Sequence, residues 1–148
     1  MAPKRDELPV VAQAYRLASD LLPVIERMPR GLRSVLGGEI LREAVSLSAC
    51  LQEAALHRGR LGALGRADIH LTRLRVLVRL AFDQKAVSPA AYGAAGERAD
   101  EVGKMLGGWL RRAKSVGAPS GAPAGLAGRN SSPTAACGAA PSTTTATT

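Results

Sequence analysis

Apolar residues recur every three to four positions through four successive stretches of the chain. This spacing places them on one face of an α-helix. The predicted helices run from about Leu8 to Met28, Leu32 to His57, Leu61 to Lys85, and Pro89 to Lys114. The alternation typical of a β-strand does not compete with this pattern. Four long helices with short connections predict an all-α fold, an antiparallel up-down four-helix bundle.

Individual residues mark the ends of these helices. Ser88 is a favourable N-cap and Pro89 suits the first helical position. Gly59 is a plausible C-terminal cap for the second helix. Pro23 lies inside the first helix, where the missing N–H group predicts a kink or an early end.

The third predicted helix carries two apolar strips instead of one. Its main stripe would form the core, and it comprises Leu64, Ala67, Leu71, Leu74, Val78 and Ala81. Ile69, Val76 and Leu80 form a second strip, which polar rows separate from the first. Because a lone bundle needs one stripe per helix, the second strip indicates another buried contact, most simply with a second copy. A single wide stripe on a centrally packed helix is an equally weighted alternative.

The second predicted helix repeats this arrangement. Its main face comprises Leu36, Ile40, Ala44, Leu47, Leu51 and Ala54. Leu41, Val45 and Leu56 lie apart from that face. The same two interpretations apply to them.

The composition changes at Gly117. The remaining stretch is "GAPSGAPAGLAGRNSSPTAACGAAPSTTTATT", in which Leu126 is the single large aliphatic residue and Arg129 the single charge. Such a segment cannot bury enough apolar surface to offset the entropy of ordering it. The sequence therefore predicts a bundle over 1–116 and a disordered tail over 117–148.

The charge of the chain is strongly positive. Its net charge is +8, from 20 Lys and Arg against 12 Asp and Glu. Between 58 and 79 there is one acid and a cluster of arginines, namely Arg58, Arg60, Arg66, Arg73, Arg75 and Arg79. Guanidinium groups suit phosphate, and aromatic residues, at 3%, are too few for base stacking.

The cluster as a whole therefore predicts salt-sensitive contact with the phosphate backbone of nucleic acid. For any single arginine, a solvated position is favoured instead. In that case Arg75 or Arg79 would pair with acids on a neighbouring helix.

The sequence shows no pattern typical of catalysis. Glu39 and Glu43 fit a solvated helix face, and His57 and His70 have no partners at metal-ligand spacing. Cys50 fits a small buried position in the core. We therefore expect no enzyme activity, no catalytic residues, no metal and no cofactor. Without a signal peptide or a long apolar run, a cytoplasmic protein that does not enter the membrane is expected.

The stretch "GKMLGGWLRRAK" at 103–114 places glycines inside a predicted helix, where each costs about 1 kcal/mol relative to Ala. Gly103, Gly107 and Gly108 would form a smooth strip that another backbone can approach closely. Trp109 would serve as an anchor in the core or at a subunit boundary. A fraying last turn is the alternative.

Three segments resemble a known family, in the right order and at the right spacing. They are "LLPVIERMPRGLRSVLGGEI" (21–40), "LTRLRVLVRLAFD" (71–83) and "SPAAYGAAGERADEVGKMLGGWLRR" (88–112). They are similar to the Avd family, the accessory proteins of diversity-generating retroelements. The Avd proteins are relatives of the four-helix proteins encoded in 23S ribosomal-RNA intervening sequences.

The resemblance implies a four-helix bundle that assembles into a homopentamer with a basic surface. It implies that the protein associates with a reverse transcriptase and with template RNA or cDNA, and supports mutagenic retrohoming without being the polymerase. By position, the basic surface would include Arg30 and Arg33 as well as Arg73, Arg75 and Arg79. A structural or adaptor protein that binds ribosomal RNA or another protein remains the alternative.

Overall fold

The computed structural model describes residues 9–56 and 60–117, which form four long helices and, within those ranges, no strand. The helices are α1 (Pro9–Glu26), α2 (Gly38–Leu56), α3 (Arg60–Asp83) and α4 (Pro89–Gly117). They pack as a bundle, so the predicted all-α fold is confirmed. The predicted disorder of 117–148 concerns residues that, beyond Gly117, lie outside the described part.

The start of α4 follows the predicted capping. The Ser88 hydroxyl accepts a hydrogen bond from the backbone N–H of Ala91 at 3.2 Å, and Pro89 is the first helical residue. Lys85, in the connection from α3, has a φ of 57°. This left-handed conformation reverses the chain between α3 and α4. The helix continues to Gly117, three residues beyond the predicted end.

The junction between α1 and α2 is less regular than predicted. Pro23 lies inside α1, which ends at Glu26 and not at Met28. A single helical turn (Arg30–Leu32) and a π-helical turn (Arg33–Gly37) then lead into α2. A Cβ atom on Gly37 would lie 2.7 Å from Cγ2 of Ile25. Only glycine therefore lets the π-helical turn pack this closely on the end of α1.

The helices pack in a ring, each against two neighbours. The most extensive contact joins α2 to α3, and α4 packs against both α3 and α1. The side chain of Glu43 contacts His70, whereas Glu53, ten residues further along α2, contacts Arg66, four residues earlier on α3. These two contacts show that α2 and α3 run in opposite directions.

The core consists of the two main stripes predicted from sequence, together with residues of α1 and α4. Every residue of both predicted stripes is buried, from Leu36 to Ala54 and from Leu64 to Ala81. Cys50 is also buried, as predicted. Trp109 is partly buried and packs against the core.

The first half of α4 does not fill the space available to it. Ala95, Gly96 and Ala99 are small residues, and they leave an apolar groove of about 520 Å³ between α1, α3 and α4. Leu17 and Leu74 are among the side chains that line it. The first half of α4 therefore borders a groove, whereas the second half places Val102 and Leu106 in the core.

Candidate nucleic-acid interface

Arginines on the α2 side of α3 are paired with acids. The Arg66 guanidinium donates to both carboxylate oxygens of Glu53 at 2.6 Å, and this hydrogen bond raises the pKa of Arg66. Arg73 lies 3.9 Å from the carboxylate of Glu43, a looser contact. Both side chains remain exposed, but part of their charge is already neutralised.

Arginines on the α4 side of α3 are paired as well. Arg75 donates to the carbonyl of Ala99 at 3.0 Å and to the carboxylate of Asp100 at 2.9 Å. Its guanidinium lies across α4, where a Cβ on Gly103 would approach Nη2 to 2.8 Å. The predicted pairing with a neighbouring helix is thus confirmed for Arg75.

Arg79 behaves differently from Arg75. Its guanidinium lies 3.8 Å from Asp83, one turn further along α3 itself. Its acid partner is therefore not on a neighbouring helix.

Glu43 corrects a prediction. It was expected on a solvated face, but only 9% of its surface is exposed, and its carboxylate lies 2.6 Å from Nδ1 of His70. The expectation holds for Glu39, which pairs with Arg42 at 2.5 Å on the surface. Helical spacing placed Glu43 beside Glu39, but it could not show that α3 would cover Glu43.

Several Lys and Arg side chains in the described ranges have no ion pair with an acid. They are Arg16, Arg27, Arg30, Arg33, Arg60, Lys85, Lys104, Arg111, Arg112 and Lys114. Arg33 donates instead to the carbonyl of Glu26 at 3.1 Å. Of the predicted phosphate-binding residues, Arg30, Arg33 and Arg60 are thus free of acids. Arg58 lies outside the described residues.

The second half of α4 carries four of these cations, more than any other of the described helices. We call Lys104, Arg111, Arg112 and Lys114 the α4 basic face; all four side chains are exposed. The sequence contains no acid between 102 and 117. From sequence, no phosphate-binding role was predicted for Arg111, Arg112 or Lys114, although this absence of acids is visible in the sequence.

Gly107 and Gly108 lie within the α4 basic face. Among the described residues outside the α4 backbone, a Cβ on Gly107 would approach Nη1 of Arg111 at 3.7 Å, and one on Gly108 would approach Nη2 of Arg111 at 3.9 Å. No backbone of the described chain outside α4 approaches either glycine. The predicted close approach is therefore not made within the bundle, and an approach by another molecule stays a prediction.

The second apolar strip of α3 is exposed to solvent. The exposed fractions are 52% for Ile69, 62% for Val76 and 42% for Leu80. A single wide buried stripe is therefore wrong for these residues. On α2, Val45 and Leu56 are exposed too, whereas Leu41 packs partly against the core.

Within residues 9–56 and 60–117, no group of three or more His, Cys, Asp and Glu side chains is placed to hold a metal ion. None of the described helices is both long and apolar enough to cross a membrane.

A known protein family matches most of the described chain. The family model described as bAvd-like matches residues 9–113, which span all four helices except the last turn of α4. No curated protein matches the chain.

Proposed function

Since the chain belongs to the bAvd-like family, we propose that it is the accessory subunit of a diversity-generating retroelement. The observation that carries this proposal is the family match, because it covers all four helices except the last turn of α4 and does not rest on a single motif. In this role the protein binds a reverse transcriptase and the template RNA or cDNA, and it supports mutagenic cDNA synthesis. It has no catalytic activity of its own and acts in the cytoplasm.

The charge of the chain supports an RNA partner. A net charge of +8 on 148 residues favours association with a polyanion. Many of the exposed cations have no acid to neutralise them, so phosphate groups would gain new ion pairs without breaking old ones. Such binding weakens as salt rises, because counterions released from the RNA drive it.

The exposed strip of α3 supports self-association. Ile69, Val76 and Leu80 point away from the core, and a contact with another copy would remove them from water. We propose a homo-oligomer, and a pentamer is what the resemblance to the Avd family implies.

Co-purification tests the proposed function directly. We would express the full chain together with the reverse transcriptase and the template RNA of the proposed retroelement. The expected result is a complex that retains both partners at low salt and loses RNA as salt rises. A salt-insensitive RNA affinity, or no association with the reverse transcriptase, would contradict the proposal. Specific retention of ribosomal RNA without the reverse transcriptase would favour the adaptor alternative.

A further inference from the structure

We propose that the α4 basic face, together with Gly107 and Gly108, is a contact surface for the sugar-phosphate backbone of RNA. The inference rests on the proposed function for the identity of the ligand, and it adds the place where the ligand lies. It places the main phosphate contacts on the second half of α4 and not on the arginines of α3.

The helical spacing brings these residues onto one side of α4. Lys104 and Arg111 are seven residues apart and therefore lie almost in line along the helix. Gly107 and Gly108 lie between them, one on each side of that line. The buried residues Val102 and Leu106 lie on the opposite side, so the surface faces away from the core.

The glycine pair leaves an open depression on this surface. Among the described residues, and apart from chain neighbours and the backbone of α4 itself, only the Arg111 guanidinium lies near the two missing Cβ positions, at distances of ordinary van der Waals contact. Packing inside the bundle therefore gives no reason for glycine at either position, although glycine weakens a helix. A partner that approaches from outside would use the space, since it can come closer to α4 here than over a side chain.

The charges around the depression favour a polyanion over a second copy of the chain. Four cations surround the glycines, and there is no acid from 102 to 117. Two such surfaces facing each other would repel, whereas phosphate oxygens would accept hydrogen bonds from several of these cations. The helix dipole explains Lys114, but its effect fades beyond the last turn, so it does not explain Lys104 or Arg111.

The ion pairs of α3 point to the same conclusion. A phosphate that approached Arg66 or Arg75 would have to compete with a carboxylate already held at 2.6 or 2.9 Å. The cations of the α4 basic face have no such competitor among the described residues. Each phosphate contact on the α4 basic face would therefore contribute more binding free energy than a contact with Arg66 or Arg75.

The first test removes charge from the surface. The variant Lys104→Gln with Arg111→Gln is compared with the control Arg16→Gln with Lys85→Gln, which removes the same charge from elsewhere on the bundle. Affinity for a uridine homopolymer is measured against salt by fluorescence anisotropy. We expect the α4 variant to bind on the order of tenfold more weakly near physiological salt and to lose about 1.4 from the slope of log affinity against log salt. An equal effect of the control would overturn the inference.

The second test fills the depression without changing the charge. The variant Gly107→Gln with Gly108→Gln is compared with Gly93→Gln with Ala94→Gln. This control changes two adjacent exposed positions near the start of the same helix. We expect the first variant to melt no lower than the wild type, since glutamine is the better helix former, and yet to bind RNA several-fold more weakly. The control pair should bind like the wild type.

The outcomes separate this inference from the proposed function. If the wild type binds no RNA, the proposed function fails. If the wild type binds RNA and both α4 variants bind equally well, only the location inferred here is wrong. A change of assembly mass in the glycine variant with unchanged RNA affinity would assign the depression to a second copy and overturn the inference.

Discussion

Replacing the exposed strip of α3 should weaken self-association without harming the bundle. The variant carries Ile69→Gln, Val76→Gln and Leu80→Gln, and glutamine keeps the helix favourable. Each side chain is about half exposed in the single chain. Burying an aliphatic side chain completely contributes about 2 kcal/mol, so covering the exposed half contributes about 1 kcal/mol. One strip is then worth about 3 kcal/mol per subunit contact, which corresponds to a rise in dissociation constant of about a hundredfold.

Light scattering coupled to size-exclusion chromatography, over a range of protein concentrations, measures this shift. The variant should dissociate at concentrations at which the wild type remains assembled. Once dissociated, the variant bundle should melt at the same temperature as a dissociated wild-type bundle. Tyr15→Gln with Leu22→Gln, on the exposed side of α1, serves as the control. Two results would refute the reasoning: a wild type that stays a single bundle at high concentration, or a strip variant that assembles like the wild type.

Two further predictions concern the stability of the bundle. Gly37→Ala should cost about 1–3 kcal/mol, because the new Cβ would collide with Ile25, whereas Gly38→Ala has open space and should stabilise by roughly 0.5–1 kcal/mol. Thermal melts of the two variants should move in opposite directions, and equal shifts would contradict the close packing. Glu43→Ala should cost about 1–3 kcal/mol by leaving its partly buried partner His70 unpaired, while Glu39→Ala, in an exposed ion pair, should cost less than about 1 kcal/mol. Denaturant titration compares them, and equal losses would remove the special role of the Glu43–His70 pair.

The fold could be predicted from sequence because the spacing of apolar residues along each helix shows which of its faces is buried. The stripes of α2 and α3 repeat at helical spacing, and every residue assigned to them is buried. Ser88 and Pro89 define the start of α4 by local chemistry alone, since a cap needs only the hydroxyl and the first turn. Such features depend on nearby residues, and the sequence shows those directly.

The pairing of charges could not be predicted in the same way. Helical periodicity gives the direction of a side chain around its own axis, but it does not say which residue of the next helix lies opposite. Arg75 and Asp100 are 25 positions apart, and Glu43 and His70 are 27 apart. Their contacts depend on the register between helices, which tertiary packing sets. The π-helical turn before α2 escaped prediction for the same reason, since Gly37 is explained only by its contact with Ile25.

This pairing divides the arginines into two groups with different physical roles. On α3, Arg73 and Arg79 flank the exposed apolar strip and lie near acids of the same chain. A charge that keeps its partner is less costly to cover than a free one, so this surface is suited to contact with another protein chain. The α4 basic face has free cations and no apolar strip, so it is suited to phosphate. Because the two surfaces lie on different helices, copies joined through α3 would keep their α4 surfaces open. Several such surfaces on one assembly would hold a single RNA more tightly than any one alone, since each further contact is intramolecular.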